Sequence, residues 1–107
     1  MRTLLKVVLP VEAANKAVTN GTLQKTVQTV TETLRPEAFY FTTENGRRTA
    51  LFVVDAKDTT TLTQVTETLF QTLNAEITTT PAQTAEEYRR TLDNATKTTR
   101  QLVGAAH

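Results

Sequence analysis

The sequence predicts an α+β domain: an antiparallel sheet with helices on one face and one further helix at its C-terminal end. Three observations carry this. Apolar residues alternate in 3–9, crowd with aromatic and branched members into 37–43 and 47–55, and end in a last short run at 75–80, as strands require. They recur near the helical period of about 3.6 in the segments between. Asn45-Gly46 separates the two most β-prone runs, EAFYFTT and RRTALFVVD, and Asn-Gly in that position signals a tight hairpin. The resulting order is strand, helix, strand, strand, helix, strand, helix.

Each element has a local reason. In residues 3–9, Leu5, Val7 and Leu9 share one face while Leu4, Lys6 and Val8 share the other. Pro10 ends the strand because it has no N–H for a continuing ladder. Residues 11–19 read as a short helical segment closed by Asn20-Gly21, a pair that tolerates left-handed backbone. Thr22 is placed to cap the next helix, whose stripe is Leu23, Val27, Val30 and Leu34, and Pro36 disfavours helix at Arg35. Asp58 or Thr61 opens the following helix, with Leu62, Val65, Leu69, Phe70 and Leu73 as its stripe. Thr61 and Gln64 have capping-box spacing, as do Thr84 and Glu87 before the last helix, expected over about 84–103. That helix has a thin stripe of Tyr88, Leu92, Ala95 and Leu102.

The βαββαβ order of residues 2–80 is that of the ferredoxin-like split motif, with both crossovers placing helices on the same side. The helix-facing set is then expected to be Leu5, Val7, Leu9, Phe39, Phe41, Leu51, Val53 and Ile77. The opposite face would carry Leu4, Lys6, Val8, Ala38, Tyr40, Thr42, Ala50, Phe52, Val54, Thr78 and Thr80. Leu4, Val8, Phe52 and Val54 would form a patch too apolar to stand in water, and such a patch marks an interface. A second copy of the sheet would cover it.

With 107 residues and a net charge of +1, the chain has the size of one domain and lacks the charge signature of a nucleic-acid or membrane-surface binder. A basic residue followed by an aromatic strand in RRTALFVVD suggests an RNA-binding sheet, but the first strand lacks the aromatics that such a sheet stacks on bases. No apolar run approaches the ~20 residues of a membrane span, and MRTLLKVVLP is interrupted by Lys6, so a cytoplasmic protein is expected. There is no cysteine, and the one histidine is His107, so no metal site, haem ligand or histidine-based nucleophile is expected. The 25 threonines follow no fixed spacing on one face, which argues for compositional bias over an ordered hydroxyl array.

Element order, length and the half-apolar open face together resemble the dimeric α/β-barrel superfamily, which includes antibiotic-biosynthesis-type monooxygenases, muconolactone isomerases and stress-responsive barrel proteins. The opening LLKVVLPVEAANKAV is similar to small bacterial members. The resemblance covers about residues 2–80 and lies in topology. It implies a homodimer whose paired sheets enclose a pocket in each half; with no cysteine and no internal histidine, the chain is expected to use no cofactor. It does not imply a reaction, because one fold hosts many.

The candidate pocket residues are Lys6, Tyr40, Asn15 and Glu12. Lys6 is an ammonium on a mostly apolar face, able to bind an acidic ligand; alternatively it pairs with a carboxylate such as Glu76 or reaches solvent. Tyr40 is either a pocket phenol or an interface aromatic. Glu12 and Asn15 follow the first strand, where loops carry function, although VEAANKAV also makes an ordinary surface helix. Two functions follow: a small-molecule-binding dimer that is an isomerase-like or monooxygenase-like enzyme, or a non-enzymatic sensing or dimerisation module.

Overall fold

A computed structural model describes residues 1–105; His107 lies outside the described residues. The elements are β1 (Arg2–Val8), α1 (Val11–Thr19), α2 (Thr22–Leu34), β2 (Ala38–Glu44), β3 (Arg47–Asp55), α3 (Thr59–Leu73), β4 (Glu76–Pro81) and α4 (Ala85–Ala105). The four-stranded sheet has the order β2-β3-β1-β4 with every neighbouring pair antiparallel. Each helical connection therefore skips a strand: β1 to β2 passes β3, and β3 to β4 passes β1. This α+β arrangement is compatible with the ferredoxin-like order.

Local chemistry sets the boundaries. Gly21 takes φ 79° between α1 and α2, a conformation costly for any side chain. Asn20, rather than Thr22, supplies the polar atom at this junction: its Oδ1 accepts from the Thr22 N–H at 2.9 Å. Of the two candidate caps for α3, Asp58 is the one used, accepting from the Thr61 N–H at 2.6 Å and its hydroxyl at 3.0 Å. The box at the start of α4 is reciprocal, with Thr84 N–H donating to Glu87 at 3.0 Å and Glu87 N–H donating to the Thr84 hydroxyl at 3.1 Å. These bonds hold both the Asp58 and the Glu87 carboxyl below the usual carboxylate range; the Thr61 and Thr84 backbone N–H groups contribute most.

A pH dependence follows. A carboxyl whose folded pKa lies below its unfolded value stabilises the fold fully above that ordinary value, near pH 4. The contribution disappears as pH falls through the lowered folded value. We expect an Asp58→Asn/Glu87→Gln double variant, which keeps oxygen acceptors but cannot titrate at these sites, to lose less thermal stability than the wild type between about pH 4 and pH 2. Parallel melting curves would check this; equal losses would mean that neither cap carries a pH-dependent load.

The core lies between the sheet and α1, α2 and α3. It joins Leu5, Val7, Phe52 and Val54 to Ala14 and Ala17 of α1, Val30 of α2, and Val65, Leu69 and Leu73 of α3. Small alanines let α1 approach closely. Phe39 packs against this cluster and stacks on Phe52 with ring centroids 4.1 Å apart.

One expectation about the sheet is corrected. Leu51 and Val53 do not face the helices; Ala50, Phe52 and Val54 do, and they are the buried residues of β3. The reason is the hairpin. Asn45 and Gly46 both have positive φ, 52° and 76°, the signature of a two-residue turn. It pairs Glu44 with Arg47, and therefore Phe41 with Ala50 and Phe39 with Phe52. Residues directly opposite in an antiparallel pair share a face, so odd positions of β2 go with even positions of β3. Phe41 does lie on the helix side, but the helices leave it 63% exposed on edge strand β2.

Threonine hydroxyls in the helices turn back onto their own backbone. Thr31, Thr33, Thr68 and Thr72 each donate to the carbonyl four residues earlier at 2.6–2.8 Å or 2.9 Å. Such bonds satisfy the hydroxyl locally and leave no outward array.

Candidate functional site

The corrected register defines the open face of the sheet. Its middle holds Leu4 of β1, Leu51 and Val53 of β3, and Ala38 and Tyr40 of β2, with Thr78 and Thr80 on β4. Lys6, Leu51 and Tyr40 are opposite one another in a single row. Lys6 and Tyr40 are therefore one strand apart, about 10 Å between backbones. Tyr40 is 65% exposed.

Ion pairs frame this strip at both ends. At one end Lys6 Nζ donates to Glu44, crossing β3. Beside it Arg47 Nη1 reaches Glu76 at 3.3 Å, crossing β1. Val8 and Thr49, which lie within this end of the face, are buried under these charged side chains. At the other end Arg2 donates from Nε to Glu37 at 3.1 Å and from Nη1 to Glu87. The hydrogen bond to Glu37 is the main reason that the Arg2 guanidinium holds its proton even more firmly than usual. The N-terminal amine pairs with Asp55 at 3.1 Å.

Two of the four candidate residues thus share the open face, and two do not. Asn15 and Glu12 sit on α1 in the helix layer, with the sheet between them and Lys6. Asn15 Oδ1 accepts from Arg48 Nη1 at 2.9 Å, and Arg48 follows the parity of the core-facing positions of β3. Glu12 is exposed in the first turn of α1.

The sequence reading offered Glu76 as a partner for Lys6; Glu44 takes that place and Glu76 goes to Arg47. The hairpin held the missing signal, since a two-residue turn fixes Glu44 and Arg47 on the same face as Lys6.

Helix α4 leaves this framework at its root. Arg2 and the capping box hold its first turn, but among the described residues no α4 side chain joins the core. Its 21 residues span about 31 Å and give the molecule a largest dimension of 65 Å. Tyr88, Leu92, Leu102 and Val103 of α4 are 47–69% exposed.

Among the described residues no group of three or more His, Asp or Glu is placed to hold a metal ion, and no helix is long and apolar enough to cross a membrane. No protein-family model matches the chain, and neither a curated protein nor a solved structure matches it.

Proposed function

We propose that the chain is a homodimeric, ferredoxin-like α/β-barrel protein of the cytoplasm that holds a small acidic organic molecule between two paired sheets. The observation that carries this reading is the open face itself. It presents an apolar strip framed by ion pairs, and its own chain leaves it uncovered. A second copy would bury the strip at a sheet spacing of about 10 Å, and the strand order supports a ferredoxin-like unit able to pair in this way. The projecting α4, with its own exposed apolar stripe, would extend along the partner.

Lys6 gives the pocket its ligand class. Its ammonium already binds one carboxylate, that of Glu44, near the apolar strip. An incoming carboxylate would replace Glu44 at Lys6 and place its organic body against Leu4 and Leu51, with the Tyr40 hydroxyl at the far end of the row. Exchanging one carboxylate for another spares Lys6 the cost of an unpaired charge. Separation of Lys6 and Tyr40 by Leu51 favours holding a ligand at two ends over a general acid and base sharing one bond.

Native mass spectrometry of the purified protein tests both parts. A dimer carrying additional small-molecule mass is expected. Lys6→Met should keep the dimer and lose that mass; a monomeric wild type, or a Lys6→Met chain that no longer folds, would overturn the reading.

A further inference from the structure

Away from the open face, the end of α2 and the start of β2 meet the end of β3 and the start of α3. A cavity of about 510 Å³ opens there, within the roughly 300–1,000 Å³ usual for small-molecule sites. Its lining combines the apolar side chains of Leu34, Val54 and Leu62 with Thr33, Arg35 and Lys57. Val54 is 1% exposed, so this wall belongs to the packed core and is rigid.

The charges around this cavity are unequally committed. Three carboxylates line it, and each is engaged within the protein. Glu37 is bound by Arg2, Asp55 by the N-terminal amine, and Asp58 by Thr61 as the cap of α3. Neither lining cation, Arg35 or Lys57, is in an ion pair among the described residues. Asp58 is bonded only by neutral donors and keeps its charge, so two cations without an ionic partner face one such carboxylate, and the cavity offers a ligand a net positive charge beside Leu34, Val54 and Leu62. Arg35 also stands at φ 47°, ψ 63°, as the left-handed residue that ends α2. Glycine or asparagine fits that position with less strain.

We infer that this cavity binds a small organic anion, a carboxylate with a short hydrocarbon body, through Arg35 and Lys57 with the body against Leu34, Val54 and Leu62. Two separate cations suit a carboxylate's two oxygens, each bond being charge-assisted. The site is formed within one subunit and is independent of the open-face pocket, so it stands or falls separately from dimerisation.

The test is an amide chemical-shift titration of the full chain with octanoate, 1-octanol and inorganic phosphate as probes. Octanoate is expected to shift amides around Thr33–Arg35, Val54–Lys57 and Leu62, with octanol and phosphate each at least tenfold weaker. Arg35→Gly relieves the left-handed backbone while removing the charge, so it should fold at least as well as the wild type. Combined with Lys57→Gln it should weaken octanoate at least tenfold. Equal binding of octanol would make the cavity merely apolar, and binding of phosphate alone would make it an inorganic-anion site. Octanoate shifts confined to the open face, unchanged affinity in the double variant, or no shifts with any probe would each overturn the inference.

Discussion

Leu51→Glu is expected to yield a folded monomer. Leu51 lies in the middle of the open face, between Lys6 and Tyr40, on the side of the sheet away from the core. In the isolated chain its side chain is only partly covered, so glutamate at this position should leave the melting temperature of the subunit nearly unchanged. In a face-to-face dimer the same carboxylate would be sealed between two sheets. Lys6 lies directly opposite but is already held by Glu44, so two carboxylates would share one cation; an uncompensated buried charge costs about 3–5 kcal/mol, and two-fold symmetry would place it in both copies. Dimer dissociation should therefore rise at least ~100-fold, since about 1.4 kcal/mol corresponds to a factor of ten. Sedimentation velocity across a concentration series would show it. A variant that remains dimeric would refute the face-to-face arrangement, and one that unfolds would mean that Leu51 faces the core after all.

Phe52→Ala should have the opposite profile. Phe52 is 2% exposed, opposite Leu5 on the core side, and stacked on Phe39. Removing such a ring costs about 3–5 kcal/mol, part from lost transfer free energy and part from the cavity left behind. Domains have only about 5–15 kcal/mol in total, so this one substitution consumes a large share. Urea unfolding should show a lower midpoint with an unchanged slope. A loss below 1 kcal/mol would mean that Phe52 lies at a surface. Together the two adjacent positions of β3 separate folding from assembly.

That contrast also marks how far the sequence could be read. Alternation within β1 was unambiguous, because Lys6 breaks one face and Leu5 and Val7 complete the other. In β3 the run Ala50-Leu51-Phe52-Val53-Val54 is apolar at every position, so period-two reading has no contrast to work with. Hydrophobicity alone therefore chose the wrong face. Asn45-Gly46 held the answer, because a two-residue turn forces opposite parity on its strands, and combining turn with pattern would have placed Phe52 inside.

The candidate site was legible to a similar depth. Lys6 and Tyr40 could be assigned to one face from β1 and β2, where the pattern is clear. Asn15 and Glu12 depended on which way the chain turns after Pro10, and it turns into the helix layer. The Lys6–Glu44 and Arg47–Glu76 pairs each cross an intervening strand, a relation that needs the strand order as well as the register. Arg35 and Lys57 are brought to one cavity only where the end of α2 meets the connection from β3 to α3, and no local spacing announces it.

The central position of β1 has a consequence for how the protein comes into being. Its Arg2–Val8 segment is made before both of its neighbours, β3, beginning at Arg47, and β4, ending at Pro81. At ~5–20 residues per second, β1 waits seconds before either edge can be covered, and β4 arrives only after α3 has been made. The sheet must form late and through distant contacts, which is slow relative to helix formation. In that interval LLKVV is an unpaired apolar strand, and Lys6 at its centre is the one charge that opposes its association with other nascent chains.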